Sequence, residues 1–377
     1  MRRAAAILLS RQSLRPCGRA AWVRQSLAAM LRLKTDGFCI ITSTGMQTWE
    51  LLMALAAREG VMQKVVLPAG DSEAVGKARL FAERQFDLRP ELVEFVGVTL
   101  HGQPDGRVDL MHARDLAVMT EADLLLPVSV RPGGSMSRLL EQAGSAGKPI
   151  LREFQVEYAG RKARLGYRIR ADQLSREIAA IGEQYLTHWT RAPNSAWPTE
   201  RLQDYYLAVA ESGEYPRSAA ATLQNIVLTG VVVASPRNMP GSTPTVSFSA
   251  LPPRELTPLI RWRGRYSHMS FEPYGVGIDK DAALSAGIRP VRYYTAGDRR
   301  CPPQGERWLR QSAGERSDWH REKEYRFRDD FDLSRIARDK LLLFCRYRSE
   351  AAQIEKATGI KTVSFLADTT ETASLHL

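Results

Sequence analysis

The sequence predicts an α/β protein: a doubly wound, Rossmann-like parallel sheet over residues 1–170, then an α+β domain over residues 171–377. Three observations lead there. Through the first 170 residues, strand-length apolar runs alternate with helix-length amphipathic runs across short links. Between Pro193 and Pro258 nine prolines break up the chain, and short β-rich runs replace the alternation. A length of 377 residues is enough for two separate cores.

Each element of the first domain has its own signal. Ala5–Ser10 is an apolar strand, and Ala20–Leu33 an amphipathic helix. Phe38–Ser43 is the second strand and Trp49–Arg58 the second helix. Lys64–Leu67 is the third strand, followed by a polar helix over Ser72–Gln85. Leu92–Leu100, a helix at Ala113–Glu121, a strand at Leu124–Val128 and a closing run at Gly147–Leu151 complete the series. Val156–Arg170, basic and containing Gly160 and Gly166, reads as a hairpin or connector.

The second domain opens with a helix at Ser175–Tyr185. Its strands are expected at Leu186–Thr190, Gly230–Ala234, Thr245–Ser249, Tyr274–Ile278, Val291–Tyr294 and Glu324–Phe327. Leu341–Cys345, a helix over Ser349–Thr358 and Thr362–Leu366 form a final strand-helix-strand unit.

Composition narrows the function. Hydrophobic residues make up 44% and charged residues 25%, as in a soluble globular chain. No apolar run approaches the roughly 18 residues that span a bilayer, so no membrane partner is expected and a cytoplasmic location is. Cys17, Cys39, Cys301 and Cys345 lack metal-ligand spacing, which fits a reducing compartment without structural disulfide or zinc. The net charge of +11 points to phosphate-bearing partners. Residues 1–35 hold eight Lys/Arg and no acidic residue, so this stretch also reads as a mitochondrial transit peptide; its fit to a first strand and helix argues against that.

Two strand-to-helix turns are candidate anion sites. One follows Ile41 through Ser43, Thr44 and Gly45. The other is Arg131-Pro-Gly-Gly-Ser-Met-Ser137, with Gly133 and Gly134 before a helix that opens at Ser135. A helix N-terminus offers free backbone N–H groups, and glycine lets the backbone close on a phosphate. In a parallel sheet both turns fall at the carboxyl ends of strands, where ligands bind. Ser43, Thr44, Ser135 and Ser137 supply hydroxyls and Arg131 a bidentate charge. An ordinary βα turn is the plain alternative for each.

Ser43-Thr-Gly-Met46 together with Pro127–Ser137 resembles the SLOG superfamily, which includes the DNA-processing protein A recombination mediators and the Lonely-guy hydrolases. The resemblance covers about residues 4–155. It implies a modified Rossmann fold that binds nucleotide-like ligands or single-stranded DNA. The hydrolases carry Pro-Gly-Gly-x-Gly-Thr-x-x-Glu. Here Met136 stands at the last Gly, Ser137 at the Thr and Leu140 at the Glu. Glu141 is one residue late, which turns a helical side chain by about 100°. The domain therefore reads as a ligand sensor more than an N-glycosidase.

In the second domain the densest constellation is Ser317–Phe327. As a continuous strand it would put His320, Glu322, Glu324 and Arg326 on one face; a solvated charge ladder is the plain alternative. Thr187–Arg191, Ser247 and Ser249 are candidates for the same cleft. So is the loop Leu251–Phe271, with Arg254, Arg261, Trp262, Arg263, Arg265, Tyr266 and His268. Basic groups among aromatics suit a nucleotide or a nucleic-acid strand.

The order His-x-Thr, Ser-x-Ser, Glu-x-Glu resembles the ADP-ribosyltransferase core, the DNA-targeting toxins in particular. Trp319, Glu322, Glu324, Tyr325 and Arg326 also match a signature of bacterial proteins discussed with abortive infection. The transferase resemblance implies NAD as the cofactor and a nucleic-acid or protein acceptor. It implies that His188 holds the nicotinamide ribose, that Ser247 or Ser249 braces the carboxylate, that Glu324 stabilises the oxocarbenium ion and that Glu322 handles the acceptor. Either His188 or Arg191 fills the first position. The pairing implies a bacterial defence protein, active against phage or stress, in which one domain senses a nucleotide and the other acts as effector. A non-catalytic single-stranded nucleic-acid-binding protein is the alternative. Either reading is compatible with an oligomer.

Overall fold

Six consecutive apolar residues, Ala4–Leu9, form strand β1, buried on both faces. A strand without polar alternation needs cover on both sides, as parallel sheets provide. The computed structural model describes residues 3–69, 71–99, 107–160, 167–237, 239–264, 267–295, 304–313 and 319–367. His101, Gly166, Arg265, Tyr266, Cys301, Ser317 and His376 lie outside them. The chain divides into two units, residues 1–163 with 194–216, and residues 164–193 with 217–377. Residues 194–216 group with the first unit.

In the first unit β1 is followed by α1 (Ala21–Thr35), β2 (Cys39–Ser43), α2 (Gln47–Glu59), β3 (Gln63–Ala69), α3 (Ser72–Gln85), β4 (Val93–Thr99), α4 (Arg107–Glu121), β5 (Leu124–Ser129) and α5 (Ser135–Ser145). The sheet is parallel throughout, in the order β4-β3-β2-β1-β5. Three crossovers run one way from β1 to β4, and the fourth reverses to reach β5. Right-handed crossovers therefore put α1, α2 and α3 on one face and α4 on the other, a doubly wound sheet. Within the basic stretch of residues 1–35, Ala4–Leu9 form β1 and Ala21–Thr35 form α1. The run at Gly147–Leu151 contributes one isolated bridge, Leu125 to Ile150, because Pro149 cannot donate to a ladder. Residues 156–160 carry no strand, so no hairpin forms among the described residues there.

Helix α2 shows why residues 194–216 join this unit. Leu51 through Ala56 are all buried, apolar on every side of the helix. A helix apolar all round must be covered all round. The sheet covers one side, and α7 (Leu202–Glu211) supplies Tyr205, Tyr206 and Val209 to the same core.

In the second unit the expected helix at Ser175–Tyr185 is one turn only, α6 (Arg176–Ala180), which ends where Ile181 becomes extended. Then come β6 (Tyr185–Trp189), α8 (Ala219–Thr229), β7 (Val231–Val232), β8 (Thr245–Ser249), α9 (Pro253–Leu256), β9 (Trp262–Arg263), β10 (His268–Met269), β11 (Gly275–Asp279) and α10 (Lys280–Ser285). The chain closes with β12 (Arg289–Pro290), β13 (Arg292–Tyr294), β14 (Arg310–Ser312), β15 (Glu324–Arg328), β16 (Phe331–Asp332), β17 (Leu341–Cys345), α11 (Arg348–Thr358) and β18 (Thr362–Ser364).

The main sheet runs β12-β15-β8-β6-β11-β17-β18, antiparallel except for β17 and β18, which α11 joins as a parallel pair. One core, with Leu186, Val246, Phe248, Val276 and Leu343, lies under α8, α10 and α11. A second, with Trp189, Leu256, Leu342, Phe344 and Phe365, fills the opposite face. The three motif strands β6, β8 and β15 are neighbours in this sheet.

Candidate functional site

In the first unit the turns after β2 and β5 flank the loop after β1. All three lie at the carboxyl edge of one parallel sheet, between whose strands β1 and β5 the crossover direction reverses. The β1 and β5 loops are laced together: Ser10 N donates to Ser129 O at 2.9 Å, and Arg131 N donates to Ser10 Oγ at 2.9 Å. Gly133 has φ +67°, a conformation only glycine takes without strain. Gly134 is the N-cap of α5, which has no side-chain cap and no acidic residue in its first turn. Arg131, Gly133 and Ser135 are exposed. This leaves the positive end of α5 open to an anion. Ser137 Oγ donates to Glu141 at 3.0 Å, and Leu140 is buried, so no carboxylate takes the place that the hydrolase pattern would fill.

The Gly45 turn differs. Gly45, at φ +81°, donates its N–H to Glu50 Oε1 at 2.9 Å, so a carboxylate of this chain already meets it. Ser43 is buried, and its hydroxyl donates to Val66 O at 2.7 Å. Thr44 is buried too, and its carbonyl accepts from Arg114 Nη1 at 3.4 Å. Arg114 has no counterpart among the sequence expectations. It is 2% exposed, pairs with Asp115 at 2.7 Å and lies 5.9 Å from the Trp49 ring. A helical Arg is usually solvated, so sequence gave no warning of a cation buried under this loop. Burial pushes the Asp115 carboxyl up despite that pairing.

In the second unit, Ser247 Oγ donates to Glu324 Oε1 at 2.8 Å. Arg326, 1% exposed, grips the same carboxylate twice, Nε to Oε1 at 2.8 Å and Nη2 to Oε2 at 3.1 Å. Its Nη1 donates to Trp308 O and Arg310 O at 2.7 and 3.0 Å, and its Nη2 also meets Gln311. Arg326 is therefore an anchor for Glu324. His188 is partly buried, and its Nδ1 lies 2.9 Å from Ser247 O. A carbonyl only accepts, so Nδ1 carries the proton and Nε2 is the acceptor nitrogen. Burial lowers the His188 pKa and keeps the ring neutral. β6 and β8 share one ladder pair, Thr187 with Ser249, and the His188 ring takes a carbonyl beyond it. His188 meets the backbone of Ser247, and Glu324 its side chain; no hydrogen bond joins His188 to Glu324 among the described residues.

Ser249 is buried and works on backbone, donating to Glu322 O at 2.6 Å and accepting from Leu251 N at 3.1 Å. The continuous strand expected over Ser317–Phe327 does not form. Trp319–Glu322 is a 3₁₀ turn, Lys323 takes φ +44°, and β15 starts at Glu324. The left-handed Lys323 directs the two carboxylates differently. Glu322 lies 3.9 Å from Arg263, and its pKa is pushed up to about 7 by burial first and by Glu324 second, against Arg263, Arg191 and Arg261. The Tyr293 and His320 rings pack at 4.0 Å, and Glu324 N donates to the Tyr293 hydroxyl at 3.3 Å. Among the described residues no cluster could hold a metal ion, and no helix is long and apolar enough to cross a membrane.

No protein-family model matches the chain, and no curated protein does. Among solved structures it is similar to DNA processing protein A (DprA) from Streptococcus pneumoniae, at 12% identity and a TM-score of 0.28. That match covers 40% of this chain and spans about half, 49%, of the other.

Proposed function

We propose that the first unit binds a nucleotide-type phosphate ligand at the carboxyl edge of its sheet. The observation that carries this reading is the meeting of the β1, β2 and β5 loops on one edge, with the first turn of α5 uncapped there. Backbone N–H groups at Ser135 and Ser137 and the positive helix end suit a phosphate, and Arg131 adds a bidentate charge. Arg114, paired with Asp115, supports this edge from beneath by holding the Thr44 carbonyl. Leu140 in place of a carboxylate favours binding over glycosidic hydrolysis.

The second unit is read as an ADP-ribosyl-transfer site, supported by the Ser247–Glu324 bond between neighbouring motif strands. With NAD as substrate, the bond from ribose C1′ to the nicotinamide nitrogen breaks, and nicotinamide leaves with the electron pair. Glu324 faces the positive charge that develops on the ribose. The acceptor attacks C1′ and gives its proton to Glu322, whose pKa near 7 suits a base at neutral pH. The Nε2 of His188 accepts from a ribose hydroxyl. A sensor joined to such an effector suits a defence or stress role.

A thermal-shift panel of nucleoside phosphates tests the first unit. Ligand at about 100 times its Kd stabilises by about 2.7 kcal/mol. Gly134→Val, whose Cβ would stand 3.1 Å from Arg131 O, should lose that response and stay folded. No response from the wild-type chain to any nucleotide would count against the reading.

A further inference from the structure

Residues 194–216 leave the second unit in sequence, dock on the first, and return. Both feet of this excursion are fixed within the second unit. Thr190, one residue past β6, donates its hydroxyl to Ala219 O at 3.0 Å and lies 3.2 Å from Tyr274 O; Ala219 is the first residue of α8. Ala192 N donates to Glu272 Oε1 at 2.8 Å. The departing and returning chains are thus tied together, two residues from His188.

The body of the excursion is fixed to the loops at the candidate ligand edge. Tyr206, on α7, is buried and donates to Glu50 Oε2 at 2.6 Å. The other oxygen of that carboxylate accepts the Gly45 N–H at 2.9 Å. At the far end of α7, Gly18 in the β1 loop donates to Ser212 O at 2.8 Å, and a Cβ on Gly18 would strike Ala210 O at 2.2 Å. One carboxylate therefore links the Gly45 turn to α7.

We infer that residues 194–216 are a strap that reports occupation of the Gly45 turn to the second unit, with Glu50 as the displaceable element. This rests on the nucleotide-binding reading of the first unit. An incoming phosphate takes the Gly45 N–H and repels Glu50. Glu50 swings away, Tyr206 loses a charge-assisted bond, and α7 loosens on α2. The strap's feet, at the end of β6 and the start of α8, then gain freedom. Linkage makes the coupling reciprocal: whatever holds the feet also changes affinity at the turn.

The test is hydrogen–deuterium exchange on the full chain, with one ligand-free arm. Tyr206→Phe keeps the ring and removes the anchor. Exchange should speed up roughly tenfold or more across 202–211, the factor for about 1.4 kcal/mol. It should also speed up across 185–193 and 217–229, and stay unchanged across 124–145. Glu50→Ala should give the same pattern. Faster exchange confined to 202–211, or no change, would overturn the strap. Adenosine 5′-monophosphate added to the wild-type chain forms the second arm. Binding with the Tyr206→Phe pattern supports the strap, and binding with α7 unaltered overturns it. No binding would count against the nucleotide reading, and the ligand-free arm would still decide the strap.

Discussion

The Arg326 guanidinium, 1% exposed, holds the Glu324 carboxylate through two hydrogen bonds, at 2.8 and 3.1 Å. The transferase resemblance makes Glu324 the carboxylate that stabilises an oxocarbenium ion. The geometry makes it also the counter-charge of a buried cation. Removing one partner of a buried pair costs about 3–5 kcal/mol, because the other charge is left behind. Glu324→Gln should therefore lower stability as well as any transferase activity. A double-mutant cycle with Arg326→Met separates the two. The double variant should recover part of the stability and none of the activity; additive losses would contradict a coupled pair.

Glu322 carries a pH prediction. Its pKa is raised from 4.5 to about 7 in the folded chain. The folded state thus keeps a proton that the unfolded chain releases between those values, and stability falls as pH rises through that window. Glu322→Gln removes the cost of burying this charge. At pH 8 the variant should be more stable by about 1–3 kcal/mol, and below pH 4 the two should converge. Melting curves from pH 4 to 8 check this; a constant offset across the range would contradict it.

Much of this was legible in the sequence. Apolar runs such as Ala4–Leu9 gave the parallel sheet, and glycines at 45 and 133 marked turns that need positive φ. The stripe of helix α7, Leu202, Tyr205, Tyr206 and Val209, has clean helical spacing, but the flanking prolines at 198 and 216 give the stretch around it the look of a broken loop region. Its placement had a further signal, since α2 is apolar all round and needs a second cover. The break at Lys323 had none: lysine does not announce a left-handed residue, and without that turn Glu322 and Glu324 alternate as on one strand face. Arg114 and Arg326 look like surface charges until the chain folds over them.

Salt dependence separates a nucleotide receptor from a nucleic-acid binder. Arg32 of the basic N-terminal stretch pairs with Asp36 at 2.8 Å, and Lys34 bonds Glu59 O at 2.5 Å, so part of that charge is already engaged. Single-stranded DNA bound through phosphates would show a log–log salt slope of roughly −0.7 per contact. The receptor reading expects a slope near that of a single phosphate ligand. A steep slope that flattens when the exposed Arg11 and Arg24 are replaced would favour the nucleic-acid alternative.

The most direct measurement is calorimetric titration of nucleoside monophosphates into wild type and Ser135→Pro. Ser135 is the first residue of α5, and Gly134 before it is extended at ψ 172°, so proline fits the backbone there and removes one N–H that would meet the phosphate. The account predicts saturable binding to the wild-type chain, at least tenfold weaker in Ser135→Pro at nearly unchanged melting temperature, a loss of roughly 1.4 kcal/mol or more. Equal affinity in both chains would contradict it, as would the absence of binding in both.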